Sequence, residues 1–292
     1  MKLLTIAASA LLVAACATRP PSPVIDVHLH ADWWGQPNLL EPLSGLTGEA
    51  TADALRAKTL EQLRANNVVA AVTSGADVDA YAKDDPQRII RARGFRGSEG
   101  LDEFRAKFEA GKFLVMAESA PQYAGLAPND PALEPFFAYA ESVDVPVGLH
   151  VGLGPPGAAY NGFPKYRMAS SNALLLEDVL IRHPKLRLYV MYAGWPMLDN
   201  MIGLLHAHPQ VYVDVGVIDW ALPREEFYTY LRRLVGAGYG KRIMYGSDQM
   251  QWPAAIGRSI DAIRSAPFLS EEQKRDILHD NAVRFFRMTP PQ

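Results

Sequence analysis

An α/β fold closed as a (β/α)8 TIM barrel is predicted by three features of this 292-residue sequence. Eight short apolar runs alternate with amphipathic stretches, an order that argues for a parallel sheet with helices packed outside it. They span about 270 residues, close to the length such barrels use. The first run is followed by ADWWGQPN, which cannot form the glycine-rich phosphate turn of an open doubly wound sheet. With 49% hydrophobic and 21% charged residues the chain can bury a sizeable core, which excludes disorder and coiled coil. The balance of 29 Lys+Arg against 32 Asp+Glu leaves no basic footprint for nucleic acid, so a small-molecule partner is expected.

Strands are predicted near residues 24–30, 67–73, 88–93, 112–118, 145–151, 186–192, 210–216 and 241–247. Helical spacing is predicted near 51–65, 100–110, 131–142, 172–182, 196–207, 223–236 and 253–265, with a final helix from about 271. That last helix opens on a capping-box signal, Ser270-Glu271-Glu272-Gln273. The third strand, RIIRAR, is unusually basic. The stretch 152–171 follows a strand end, where barrels build their active sites, so its length points to function.

Ahead of the barrel, Leu3 to Ala15 form an apolar run proportioned like a secretory h-region and too short to span a bilayer. Val13-Ala14-Ala15-Cys16 resembles a bacterial lipobox, and Cys16 is the only cysteine. Structural disulfides and Cys-rich zinc modules are thereby excluded. The expected organisation is a lipoprotein signal peptide over 1–15, a Pro-rich tether over 16–23 and a single barrel over 24–292. Lipidation at Cys16, followed by Ala17, would place the protein in the bacterial cell envelope, anchored to the outer membrane and facing the periplasm.

The chemistry gathers at strand ends. In Val24-Ile25-Asp26-Val27-His28-Leu29-His30 the alternation of a strand sends Asp26, His28 and His30 to the interior, with the histidines about 6.6 Å apart along the chain. His150 closes the fifth strand, Asp248 the eighth and Glu118 the fourth. His28, His30, His150 and Asp248 supply three imidazoles and a carboxylate, a set suited to one divalent ion, Zn2+ first and Mn2+ second, with a position left for water. His183 and His279 read instead as helix-cap or surface residues. All five tryptophans (Trp33, Trp34, Trp195, Trp220 and Trp252) fall at or just after strand ends. Trp33, Tyr160, Trp195 and Trp252 are therefore candidates for a flat apolar ligand, and Arg167 for its carboxylate.

IDVHLH, VGLHVG, MYAGWP, YVDVG, GSDQMQWP and LHDNAVRFF, in order over residues 24–287, resemble the amidohydrolase-related family, the branch of the amidohydrolase superfamily that contains aminocarboxymuconate semialdehyde decarboxylase. The resemblance implies a metal-dependent barrel in which His28, His30, His150 and Asp248 hold one ion, with Asp248 also able to accept a proton. Glu118 stands where binuclear relatives carry a carboxylated lysine, which implies one metal, with Glu118 accepting a hydrogen bond from a ligand. Tyr192 stands where the family has a histidine. A phenol, with an unperturbed pKa of about 10, is a poor general base near neutrality but can donate a hydrogen bond to water or substrate. The expected activity is metal-dependent hydrolysis of an amide, ester or lactone. Non-oxidative decarboxylation of an aromatic or enoic acid is the alternative, and a catalytically silent ligand-binding lipoprotein is the reading from another class.

Overall fold

The structure is a computed structural model that describes residues 22–288. The expected signal peptide, Cys16 and the expected tether up to position 21 lie outside the described residues. Among the described residues no helix is long and apolar enough to cross a membrane.

Eight parallel strands follow the predicted order: β1 (Val24–His30), β2 (Val68–Ser74), β3 (Ile89–Arg91), β4 (Met116–Ser119), β5 (Val147–His150), β6 (Leu188–Met191), β7 (Tyr212–Asp214) and β8 (Ile243–Met244). β1 to β3 form one hydrogen-bonded run and β4 to β8 another. Backbone bonds join the two at both seams. Leu114 N donates to Arg91 O (3.0 Å) and Arg93 N to Val115 O (3.0 Å), while Val27 N donates to Tyr245 O (3.0 Å) and His30 N to Gln249 O (3.0 Å). Among the described residues no open sheet edge remains, and the predicted (β/α)8 barrel is the fold.

Around it lie α1 (Ala52–Ala65), α2 (Val78–Asp84), α3 (Leu101–Glu109), α4 (Glu134–Ser142), α5 (Glu177–Arg182), α6 (Leu198–Ala207), α7 (Arg224–Gly236) and α8 (Ala254–Arg264). A tail of α9 (Glu271–Arg275), a π turn and α10 (Asn281–Phe286) closes the bottom, where Asn281 Nδ2 donates to Gly240 O and Ile243 O. α1 starts where the Thr51 hydroxyl accepts from Ala54 N, and it buries Leu55, Thr59, Leu60 and Leu63. The capping box of α9 forms as predicted.

Two differences from the sequence reading have physical causes. α2 was not anticipated, because seven residues with Val78, Tyr81 and Ala82 buried are too few to establish a period. It also explains the basic third strand: Arg91 Nε reaches Asp79 Oδ1 on α2 at 3.2 Å, and Arg88 Nε reaches Asp85 Oδ2 at 3.1 Å. β7 and β8 are shorter than predicted at both ends: a 3-10 turn at Gly240–Arg242 precedes β8, and the chain leaves the ladder at the upper rim. Tyr192, Ala193, Val217 and Asp248 all have positive φ there, between 46° and 61°. Each such L-residue costs about 1–3 kcal/mol, and strain of this kind gathers at functional sites.

Candidate metal centre and the cavities beside it

β1 carries the first two imidazoles. His28 is 2% exposed; its Nδ1 lies 3.1 Å from Asp214 Oδ2, which fixes the proton on Nδ1 and turns the Nε2 lone pair toward the barrel axis. Asp214 Oδ1 accepts from Tyr192 N (2.9 Å) and Gly216 N (3.0 Å), so one carboxylate orients a ring and closes two strand ends. Below, Asp26 Oδ1 accepts from His28 N (3.0 Å) and Ser247 N (2.9 Å). Gly246 is required beside this ring, because a Cβ there would stand 2.7 Å from His28 Cβ.

His28 Nε2 lies 3.3 Å from Asp248 Oδ1, and His30 Nε2 lies 3.0 Å from the same oxygen and 3.5 Å from Glu118 Oε2. His30 Nδ1 faces Asp32 Oδ2 at 3.6 Å. Across the mouth, Glu118 Oε1 is 2.5 Å from His150 Nδ1 and accepts from the Tyr192 hydroxyl at 2.7 Å. Each of the three histidines thus has a carboxylate on its Nδ1 side. The structure brings His28, His30 and Asp248 together, with Glu118 beside His30, while His150 and Tyr192 meet this group through Glu118. Asp214 was missed as a functional residue, although YVDVG contains it and strand alternation from Tyr212 sends it inward with the other site residues.

The electrostatics express a surplus of carboxylates. Burial lowers the pKa of His28, but Asp248 and Asp214 outweigh it and push the value up to about 9. His30 is likewise raised against the effect of burial, by Asp248 and Asp32. Glu118 is held well below the carboxylate range: burial works against this, and the His150 hydrogen bond and the charges of His30 and His28 overcome it. Burial and the charges of Asp248 and Glu118 push the Tyr192 phenol well above its usual value, so it stays a proton donor near neutrality.

The residues fit a divalent ion. His28 Nε2, His150 Nε2 and Asp248 Oδ1 are buried without a hydrogen-bond partner, a costly condition unless something else satisfies them. Tetrahedral ligands at about 2.0–2.1 Å from a metal stand about 3.3 Å apart, and the separations at Asp248 Oδ1 are 3.3 and 3.0 Å. One ligand atom each from His28, His30 and Glu118 also lies within 4.8 Å of the others. Residues 25–288 match the family described as amidohydrolase.

The chain belongs to the amidohydrolase family. Solved structures agree on the fold. One is an uncharacterised TIM-barrel protein from Bordetella bronchiseptica, 18% identical with a TM-score of 0.66 over 91% of this chain and 99% of that one. A probable 2-pyrone-4,6-dicarboxylic acid hydrolase from Acinetobacter baumannii, solved with citric acid, gives 16% and 0.65 over 91% and 100%. The 5-carboxyvanillate decarboxylase of Sphingomonas paucimobilis gives 15% and 0.60 over 91% and 99%. No curated protein matches the sequence. Amidohydrolase-family members are enzymes acting on small molecules, typically with a divalent metal, and these neighbours include both hydrolase and decarboxylase.

Among the described residues, a smaller and a larger cavity lie at the rim of this amidohydrolase barrel. The smaller, about 290 Å³, is polar and bordered by His30, Asp32 and Glu118 on one side and Arg93 and Arg96 on the other. The larger, about 900 Å³, lies beside the loops after β5, β6 and β7 and is bordered by Tyr160, Arg167 and Trp195, three of the sequence-predicted ligand contacts. Trp33 and Trp252 line neither cavity. Trp252 is buried, donates Nε1–H to Leu39 O (2.8 Å) and packs against Trp220 beneath the β1–α1 loop. Among the two histidines read as caps, His183 caps the C-terminus of α5, and His279 lies in the π turn next to Asp280.

Proposed function

We propose that the protein is a metal-dependent hydrolase that cleaves an amide, ester or lactone bond of a small organic acid. The observation that carries this reading is the convergence of His28 Nε2 and His30 Nε2 on Asp248 Oδ1, each about one coordination edge from it. His28, His30, His150 and Asp248 would hold the ion, with Glu118 Oε2 close enough to join them. A divalent cation bound there supplies Lewis-acid chemistry, lowering the pKa of water and polarising a carbonyl. Asp248 is the proton acceptor at hand, and Asp214 and Glu118 keep His28 and His150 in the tautomer that leaves Nε2 free.

Tyr192 acts through Glu118 rather than on water or substrate, because its hydroxyl already donates to Oε1. Arg93 and Arg96 make no ion pair among the described residues, and Arg93 Nε is buried without a partner, which supports a substrate bearing a carboxylate.

The test is a panel of lactones, esters and amides of aromatic and dicarboxylic acids, assayed with Zn2+ or Mn2+. Wild-type hydrolysis should fall about 10³-fold in Asp248→Asn, the scale of a lost general base. Carbon dioxide release without hydrolysis would transfer the assignment to decarboxylation. Activity confined to Tyr192→His would support the silent-protein reading.

A further inference from the structure

The larger cavity does not touch the metal cluster. Its walls are Leu43, Leu153, Pro155, Met168, Trp195 and Leu222, drawn from the loops after β1, β5, β6 and β7. Apolar side chains here face solvent instead of the core: Leu43 is 54% exposed, Met168 38% and Tyr160 93%. Exposed apolar surface gathered in a concavity marks a binding surface more often than scattered exposure does. No Asp or Glu lines it, and one cation does. Arg167 Nη1 donates to Pro164 O (2.8 Å) and Tyr166 O (2.7 Å), which pins the guanidinium at the edge of the cleft. Arg167 makes no ion pair among the described residues, so the rest of its donor fork is free for a planar anion.

The loop that forms the cleft is itself anchored. Tyr166 OH donates to Gly152 O (2.8 Å), and the Tyr166 ring packs against Tyr123, which packs against His150. Ser171 is bonded by Gln122 Nε2 (2.6 Å) and donates to Gly152 O (2.5 Å). The stretch 152–171 is thus a built wall resting on the strand that carries His150.

We propose that this cleft is a second ligand site, separate from the metal cavity, that binds a small organic carboxylate with an apolar body, Arg167 taking the carboxylate and Trp195, Leu153 and Leu222 the body. The site needs neither the metal nor hydrolytic activity.

Isothermal titration with 1-naphthoate and its neutral counterpart 1-naphthamide tests this on the wild type and on surface variants. The acid is expected to bind on the order of tenfold more tightly than the amide, the scale of one charge-assisted hydrogen bond. Arg167→Gln should erase that difference, and Met168→Glu should weaken acid binding further. Chelator treatment, or Arg93→Gln with Arg96→Gln, should leave it unchanged. Equal affinity for acid and amide, or no binding of either, overturns the proposal. Loss of binding in the Arg93/Arg96 variant with retention in Arg167→Gln also overturns it, by placing the anion in the metal cavity. Failure of the hydrolase reading alters none of these outcomes.

Discussion

Replacing Asp214 by Asn changes one atom and should weaken metal binding about 10- to 100-fold while sparing the fold. Asp214 Oδ1 accepts from two backbone N–H groups, at 2.9 and 3.0 Å, and Oδ2 faces His28 Nδ1 at 3.1 Å. The asparagine must keep its oxygen toward the two backbone donors, because the opposite flip would set an NH2 against both. Its Nδ2 then meets His28 Nδ1, donor against donor, and the ring is forced to the other tautomer. The proton moves to His28 Nε2, the atom that should hold the ion. Loss of such an outer carboxylate costs about 10- to 100-fold in metal affinity, or about 1.4–2.8 kcal/mol. Competition with a chromophoric chelator measures the Kd, and circular dichroism of the chelated protein checks that it remains folded. An unchanged metal Kd in folded Asp214→Asn would refute the tautomer argument.

Other predictions are independent of that carboxylate. Gly246→Ala places a methyl 2.7 Å from His28 Cβ; an overpacking cost of about 1–3 kcal/mol should lower the melting temperature and weaken metal binding together, and a neutral result would contradict the close packing. At the α4–α5 contact, Arg182 first and His183 second hold the Glu134 carboxyl below its ordinary value of 4.5. A depressed acid stabilises the fold above its unfolded pKa and loses that contribution as pH falls through the folded value, so thermal melts should show a loss below about pH 4.5 that Glu134→Gln reduces. Lipidation at Cys16 predicts that Cys16→Ser moves the protein from the membrane to the soluble fraction of cell extracts; unchanged fractionation would remove the anchor.

Much of the fold was legible because apolar runs and amphipathic stretches differ in period, and the barrel brings successive strand ends to one rim. That rule alone sends His28, His30, His150 and Asp248 to the same rim. Asp214 obeys it too, but an acid on a strand shows no partner in the sequence, and its value appears only when His28 and the Tyr192 and Gly216 amides are seen around it. The role of Tyr192 was half legible: a phenol could be read as a donor, but its acceptor, Glu118, lies 74 positions away. The tryptophans divide for a similar reason. Trp220 and Trp252 satisfy their N–H groups on Ser247 O and Leu39 O and pack under loops, whereas Trp195 borders the apolar cleft. Loop conformation, which sequence period does not report, decides between those fates.

On the proposed function, the nitrogen and oxygen atoms converging at Asp248 hold a metal. Elemental mass spectrometry on protein purified without chelator tests it most directly. About one divalent ion per chain is expected, as a single closed ligand set implies, and it should be lost when His28 and His30 are both replaced by Ala. A metal-free protein that also refuses added Zn2+ and Mn2+, or metal content unchanged in the double variant, would contradict it.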